Sequence, residues 1–452
     1  MPALFDDRKF YRDLFILSLP IMLQHLVNSM VNLLDTIMVG RLGTVEIASV
    51  GLANQIFFLY ELLLFGICSG GAIFTAQFWG KKDISGIRKN MGLCLTFCLA
   101  AAAFFVFVSM LFPEKIIGLY SRDEAVIKTG AAYLRTVSPS FIPFAISLVF
   151  GLTLRAVERV RLAFVVAVIA LFLSGILNYI FIFGAGPIPA MGVVGAARAT
   201  VISRVVQAVV LVSVTYLKKY VPAGRLVEIF GFNRLYVRQF LRVTMPVIIN
   251  EILWSLGITM QNMVFARTST DAIAAYNITT TVSMLVWVIF IGLGSGISVL
   301  IGKKIGERDE NAARDYASRI VGFVPLAAIA AALVLFPLSL LLPFVFNVSA
   351  ETLSLAFRMF IILCCVYPFR AFNMCMVIGI CRAGGDTVFC AVYDIVLMWL
   401  LTLPLMAFGS FVLGVPAWIL YLLIGVEQPL KAALGFWRFK SGKWLHNVTH
   451  GL

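Results

Sequence analysis

Long apolar stretches recur along the whole chain, separated by short polar connections. A helix needs about 20 predominantly apolar residues to cross the hydrocarbon core of a bilayer. Twelve stretches reach that length, so the pattern predicts twelve membrane-spanning helices. The predicted spans lie at approximately 14–39, 47–75, 91–112, 130–154, 161–183, 193–216, 237–265, 272–300, 317–342, 354–380, 388–408 and 412–435.

The composition supports a membrane protein and excludes an ordinary soluble domain. Of the 452 residues, 61% are hydrophobic and 13% are charged, and the mean hydropathy is +0.98. Soluble domains are about half apolar and a quarter charged. We therefore predict an all-α polytopic membrane protein embedded in the lipid bilayer. The eight cysteines form no Cys-x-x-Cys pair and no histidine pattern accompanies them, so we expect packing roles, no metal centre and no cofactor.

The distribution of Lys and Arg predicts the orientation in the membrane. Both tails and the even-numbered connections carry twenty-six of these residues, whereas the odd-numbered connections carry five. By the positive-inside rule both termini lie in the cytoplasm, as an even number of spans also requires. We predict a multi-pass protein of the cytoplasmic membrane. The net charge of +14 then comes from Lys and Arg at the cytoplasmic ends of the spans, and no nucleic-acid partner is expected.

The chain also repeats itself at a fixed offset. Residues 20–83 align with residues 246–309 without a gap, and twelve of the sixty-four aligned positions are identical. The identities include Pro20 with Pro246, two glycines in each second span, and the closing Asp83 with Asp309. These identities at a constant offset predict a duplicated fold. Duplicated membrane folds often place a substrate site between their halves.

The repeat and the topology together predict the domain organisation. We expect a first lobe at 1–217 with six spans, a polar cytoplasmic linker at 218–235, and a second six-span lobe at 236–452 with a short cytoplasmic tail. Because six is an even number, the two repeats are parallel, related by an axis along the membrane normal.

A proline lies early in the first span of each repeat, at Pro20 and Pro246. Proline removes a backbone donor and clashes with the preceding turn, so it kinks or weakens a helix. The sequence is compatible both with a static kink fitted to packing and with a hinge.

Motifs for nucleotide-driven or enzymatic chemistry are absent from the sequence. No Walker A string occurs, and the segment Gly292–Gly296 lacks the spacing and the strand of a dinucleotide fingerprint. The chain holds three histidines, and no loop collects acids, histidines and cysteines. We predict that the protein is not an enzyme, and that its energy source is an ion gradient unless it is passive.

Charged residues inside a bilayer are costly, so each one needs a reason. Asp35 lies in the first span, which has no Lys or Arg within its apolar stretch. Ser174 and Asn178 lie one turn apart on the fifth span, and the sixth span contributes Thr200. A carboxylate with amide and hydroxyl oxygens suits either a hard monovalent cation or proton exchange. We therefore predict a cation-coupling site in the first lobe, where Na⁺ would bind Asp35 and Asn178.

The second lobe carries its own acid, Glu251, preceded by Asn250. Asn262, Tyr276 and Asn277 are polar residues of neighbouring segments that would approach this acid. We predict a second functional carboxylate here, at a different depth from Asp35.

Other residues inside the spans are candidates for a substrate cavity. Glu61 lies within a strongly apolar run and either attracts cations to a cavity or pairs across the lobes. Trp254 and Met284, with Tyr276 and Asn277, would line an adaptable pocket, although packing or lipid-facing roles are more common for such side chains.

Two further intramembrane acids have a simple structural explanation. Asp394 would pair with Arg370 or another cation, and Glu427 would meet Lys431 one helical turn later. We expect these acids to stabilise the fold rather than to bind a ligand.

Several strings, taken in order, resemble the multidrug and toxic compound extrusion (MATE) family over about residues 14–440. Each string is modest alone, whereas their order and spacing together are specific. They are Asp35-Thr-Ile-Met-Val-Gly40 after Pro20, Leu177-Asn178-Tyr-Ile-Phe-Ile-Phe-Gly184, Met191-Gly-Val-Val-Gly-Ala-Ala197 before Thr200, Asn250-Glu251 after Pro246, and Arg382-Ala-Gly-Gly-Asp386-Thr.

The resemblance implies a V-shaped pair of six-helix lobes with a central cavity, and antiport of a cationic substrate against Na⁺ or H⁺. It implies coupling at Asp35 with Asn178 and Thr200, bending at Pro20, and use of Glu251 in the second lobe. The chain departs from relatives in having Ser174 where several have Asn. It also lacks an Asp near residues 370–373, which weakens a Na⁺ site in the second lobe.

The predicted function is cation-coupled export of small cationic amphipathic compounds by a monomer. Substrate identity and the choice between Na⁺ and H⁺ stay open. The alternative is a flippase for lipid-linked oligosaccharides, because related folds resemble this one. Such a protein would favour a cationic cavity for a pyrophosphate group, and the nearly balanced intramembrane charges discriminate weakly between the two functions.

Overall fold

A computed structural model describes residues 7–345 and 348–452 of the chain. Within these residues the chain is helical and forms no β-strand. Twelve helices in this part are long and apolar enough to cross a membrane. The predicted all-α fold class with twelve spans is therefore confirmed.

The twelve helices follow the predicted spans and extend beyond most of them into the polar connections. They are α1 (Arg8–Gly40), α2 (Thr44–Lys81), α3 (Ile84–Leu111), α4 (Glu124–Ala156), α5 (Val160–Phe183), α6 (Gly192–Leu217), α7 (Arg234–Thr268), α8 (Thr270–Gly306), α9 (Glu310–Leu338), α10 (Ala350–Cys381), α11 (Thr387–Phe411) and α12 (Ala417–Ser441).

Two of the helices contain turns that are wound as a π-helix rather than as an α-helix. These turns are Cys375–Cys381 at the end of α10 and Met398–Thr402 in the middle of α11. A π-turn shifts the register of the side chains that follow it, and such turns are frequent at functional sites. Short helices at Pro113–Gly118, Leu226–Ile229 and Leu342–Val345 lie in the connections.

The repeat is preserved in the backbone as well as in the sequence. Lys82 and Arg308, which are equivalent positions of the repeat, both adopt left-handed conformations, with φ of 59° and 61°. The next residues, Asp83 and Asp309, cap α3 and α9 by accepting hydrogen bonds from Gly86 N and Ala312 N. An aspartate at this position satisfies a backbone donor that the helix leaves free. The identical Asp of the repeat thus begins the third helix of each half.

Contacts divide the chain into two compact units. The first unit comprises residues 23–244, and the second comprises residues 7–22 and 245–451. Both boundaries fall inside a helix, shortly after Pro20 in α1 and shortly before Pro246 in α7. The predicted lobes at 1–217 and 236–452 were placed from topology, and their boundaries stay a prediction.

A glycine marks a close helix contact of the same kind in each unit. In the first unit, a Cβ placed on Gly70 of α2 would lie 2.6 Å from the Thr244 side chain of α7. In the second unit, a Cβ on Gly296 of α8 would lie 2.3 Å from Ser18 Oγ of α1. The offset of the repeat places Gly70 on Gly296, and it also places Ser18 on Thr244, two residues before the aligned region begins. Small residues allow helices to approach this closely in membranes, which explains why both glycines are retained in the repeat.

The contact between α5 and α6 gives a test of the packing in the first unit. A Cβ on Gly195 would lie 2.2 Å from the Phe181 carbonyl oxygen, whereas a Cβ on Gly175 would meet nothing within 4 Å. We expect Gly195→Ala to lower the free energy of unfolding by about 1–3 kcal/mol because the helices must separate. The matched control Gly175→Ala is expected to be neutral or up to about 1 kcal/mol stabilising. Chemical unfolding in detergent micelles measures both, and equal stabilities would contradict this packing.

Candidate functional site

The first unit contains a cavity of about 490 Å³. This volume is typical of sites for small molecules. The cavity is lined by α1, α2, α4, α5 and α6, and one side rests on a buried apolar cluster that includes Val39, Val50 and Tyr133. Three ionisable side chains, Asp35, Glu61 and Arg204, carry its charge.

Asp35 and Asn178 are joined directly across α1 and α5. The Asn178 side-chain amide donates a short hydrogen bond to Asp35 Oδ1. Asn178 is 1% exposed, and its Oδ1 accepts no hydrogen bond from the described residues. A buried amide oxygen without a donor is uncommon. Beside the carboxylate there is thus a second oxygen with free lone pairs.

Ser174 and Thr200 line the same cavity. Ser174 lies one turn before Asn178 on α5 and is buried. The Thr200 hydroxyl donates to the Ala196 carbonyl oxygen at 3.0 Å, so its lone pairs remain available as acceptors. All four residues predicted for the first lobe therefore occupy one region of the first unit. The carboxylate and these amide and hydroxyl oxygens are ligands of the kind that hard cations prefer.

Glu61 also lines this cavity, which is compatible with the first of the two roles predicted for it, attraction of cations. Arg204 lines the cavity as well, and this residue was not predicted for the site. It lies one helical turn after Thr200 along α6, and that spacing was the available signal. No carboxylate of the described residues lies within ion-pair distance of the guanidinium, so neither Asp35 nor Glu61 forms an ion pair with it.

The guanidinium of Arg204 is held by an amide and an aromatic ring. Its Nη1 donates to Gln207 Oε1 at 3.1 Å, and its carbon lies 4.9 Å from the centre of the Phe144 ring. The Phe144 ring is 5.0 Å from that of Phe57, which also lines the cavity. Arg204 thus lies beside the aromatic rings of Phe57 and Phe144, in the same cavity as Asp35 and Glu61.

In the second unit Glu251 is already paired with a cation. Arg382 Nη2 lies 2.8 Å from Glu251 Oε1, and both side chains are buried or nearly so. The Asn250 amide points to another acid, with Nδ2 at 3.5 Å from Asp394 Oδ2. Arg382 begins the Arg-Ala-Gly-Gly-Asp string of the sequence, and its ion pair to α7 gives this string a structural role.

Among the described residues, no hydrogen bond or ion pair joins the other second-lobe candidates to Glu251. Tyr276 stacks on Phe265 with ring centres 4.4 Å apart, and the Asn262 amide bonds to the Ile258 carbonyl oxygen. Met284 is 67% exposed, Asn277 is exposed and Trp254 is half-buried. None of these residues lines the cavity of the first unit.

Lys431 of α12 lies between two carboxylates in the interior of the second unit. Its ammonium is 2.6 Å from Asp394 Oδ1 and 3.3 Å from Glu427 Oε1. Thr402, in the π-turn of α11, donates to Glu427 Oε2 at 2.6 Å. The expected pair of Glu427 with Lys431 is therefore present, and Lys431 rather than Arg370 is the cation that pairs with Asp394.

The MatE family model matches the chain twice, over residues 20–180 and again over residues 246–408. The chain belongs to the MatE family. The two matches begin at Pro20 and Pro246, which are the first aligned positions of the repeat, and this confirms the duplication of a MATE half.

Similar proteins cover nearly the whole chain. The uncharacterized transporter YisQ of Bacillus subtilis is 22% identical over 96% of this chain and 94% of its own length. A probable multidrug resistance protein NorM of Mannheimia succiniciproducens is 24% identical over 87% of this chain and 85% of its own length. The crystal structure of a mutant of the Vibrio cholerae MATE transporter VcmN matches with a TM-score of 0.87 at 18% identity, covering 97% of this chain and 98% of that one.

The MatE family membership establishes the broad class of this protein. It is a multi-pass membrane protein of a transporter family that handles drugs and toxic compounds. The comparisons do not favour the alternative of a lipid-oligosaccharide flippase. The twelve helices of the fold and the cavity in the first unit agree with membership of a transporter family.

Proposed function

We propose that this MATE protein is a cation-coupled antiporter that exports small cationic amphipathic compounds, with Asp35 as the coupling carboxylate. One observation carries the proposal: Asp35 lies in a cavity of ligand size, hydrogen-bonded to a buried amide, with no cationic side chain within ion-pair distance in the described part of the chain. An intramembrane carboxylate that no cationic side chain contacts directly is suited to exchange one cation for another.

The exchange follows from the charge of Asp35. When the carboxylate is ionised, it accepts the Asn178 amide hydrogen bond and attracts a cationic substrate. When an inward-driven H⁺ or Na⁺ neutralises it, that attraction is lost and the substrate is released on the outer side. A gradient drives the cycle only through such a difference in affinity between two states.

Asn178 is suited to either coupling ion. For Na⁺, its free Oδ1 would join Asp35 and the hydroxyl oxygens of Ser174 and Thr200 as ligands. For H⁺, rotation of the amide would let Oδ1 accept a hydrogen bond from the protonated carboxyl group, since amide orientation follows the hydrogen-bond network. Asp35 and Asn178 would therefore serve both ions.

Glu251 of the second unit is less suited than Asp35 to bind the coupling ion. Glu251 already has its charge balanced by Arg382 at 2.8 Å, so a coupling ion would have to displace a buried guanidinium. We therefore assign the primary coupling ion to the first unit. The prolines at 20 and 246 remain proposed hinges, and a monomer in the cytoplasmic membrane with both termini inside remains the proposed state.

Efflux from proteoliposomes tests the function. Vesicles are loaded with a cationic dye, and a proton gradient and a sodium gradient are imposed separately, with an ionophore that collapses each gradient as the control. We expect one gradient to accelerate dye movement severalfold over vesicles without a gradient. Equal dye movement under all conditions would contradict antiport, and movement of a lipid-linked oligosaccharide instead of the dye would support the flippase.

A further inference from the structure

Arg204 is an unexpected residue in a cavity for cations. A fixed guanidinium repels a cationic ligand, and it is also costly to place inside a membrane protein. Two carboxylates share the cavity with it, yet neither lies within ion-pair distance of it in the described part of the chain. The arginine therefore does not serve mainly to neutralise Asp35 or Glu61 by direct pairing.

Most of the hydrogen-bonding capacity of Arg204 remains unused. A guanidinium offers five N–H donors, and the single hydrogen bond that this one makes among the described residues joins Nη1 to Gln207. The Phe144 ring at 4.9 Å supports the plane of the guanidinium without using its donors. The group is thus held at Nη1 and keeps donors on Nε and Nη2, and a carboxylate is the acceptor that best matches this pair of donors.

The surroundings of Arg204 favour an aromatic ligand with charges of both signs. Phe57, Phe141 and Phe144 line the cavity beside it, with the Phe57 ring 5.7 Å and 5.0 Å from the other two. A simple anion would meet two carboxylates in this cavity, and a simple cation would meet the guanidinium. A zwitterion places a complementary charge against each.

We propose that Arg204 sets the charge specificity of this cavity: its guanidinium holds a carboxylate on an aromatic ligand while Asp35 and Glu61 attract the amine of the same ligand. This inference rests on the proposed function, because it assigns the same cavity to the exported compound. It makes Arg204 the residue that determines whether a carboxylate on the ligand is accepted.

A matched pair of ligands separates the charges. A xanthene dye as its methyl ester is a permanent cation, and the same dye as the free carboxylic acid is a zwitterion near neutral pH. Fluorescence polarisation with purified protein in detergent measures both dissociation constants without any gradient. We expect the wild type to bind both forms.

Substitution of Arg204 then gives opposite changes for the two dyes. In Arg204→Gln the acid should bind more weakly and the ester more tightly, so that the ratio of their dissociation constants changes by about tenfold or more. Arg204→Lys keeps the charge but loses the fork and should give an intermediate ratio. The control Arg198→Gln, at an exposed arginine of α6 outside the cavity, should leave the ratio unchanged.

Each outcome bears on a distinct claim. Equal weakening of both dyes, or no change in their ratio, would overturn the role of Arg204. Binding of the ester without the acid by the wild type would overturn the amphoteric specificity and leave the proposed export of cations standing. Binding of neither dye would count against the cavity as the substrate site, and hence against both proposals.

Discussion

Asp35→Asn is expected to abolish gradient-driven efflux and to reduce dye movement to that of vesicles without protein. The change replaces one carboxylate oxygen by an amide nitrogen and leaves the shape of the side chain nearly the same. It removes the charge that attracts the substrate and the group that exchanges H⁺ or Na⁺. Because the other residues of the site remain, the expected defect lies in coupling rather than in folding.

The controls for this variant separate coupling from assembly. Glu114→Gln removes a carboxylate that is exposed at the start of the short helix Pro113–Gly118, and it should transport like the wild type. The apparent melting temperature of Asp35→Asn in detergent should stay close to that of the wild type. Efflux by Asp35→Asn at the wild-type rate, under the gradient that drives the wild type, would exclude Asp35 as the coupling carboxylate.

Lys431→Met is expected to destabilise the second unit strongly. It leaves Asp394 and Glu427 in the interior without their shared ammonium, and the Lys431 and Glu427 side chains are 4% and 2% exposed. Removing one partner of a buried ion pair typically costs about 3–5 kcal/mol because the remaining charge is uncompensated. The apparent melting temperature and the yield of folded protein in detergent measure the loss.

A second substitution distinguishes charge from packing in this network. Lys431→Met combined with Glu427→Gln removes one of the two uncompensated carboxylates and should recover part of the lost stability. Lys443→Met, at an exposed lysine after α12, is the matched control and should behave like the wild type. Failure of the double variant to recover any stability would contradict the uncompensated charge of Glu427 as a cause of the loss.

The sequence predicts the twelve helices well because the thickness of the bilayer sets the length of each apolar stretch. It predicts their ends less well, since a helix continues through polar residues until a cap or a left-handed residue stops it. Lys82 with φ of 59° followed by the capping Asp83 is such a stop, and it lies beyond the predicted span. The π-turn at Met398–Thr402 was missed because nothing in the apolar pattern distinguishes it from an α-helix.

Part of the site was predictable because its residues can be recognised within single helices. Asp35 is conspicuous as a charge in an apolar span, and Ser174 and Asn178 share a face of one helix. The partner of Glu251 was not predictable in the same way, because Arg382 is distant in sequence and the packing of α7 against the end of α10 brings it near. Arg204 was not predicted as a site residue, because its place in the cavity depends on the rotation of α6 about its axis.

The pairing of Gly70 with Thr244, and of Gly296 with Ser18, has a consequence for a chain made of one repeat. These contacts join the second helix of each repeat to the first helix of the other repeat. A protein made of a single repeat would satisfy this contact only by lending the start of its first helix to a second copy, in the manner of a domain swap. A single repeat on its own is therefore expected to pair with a second copy by exchanging this segment.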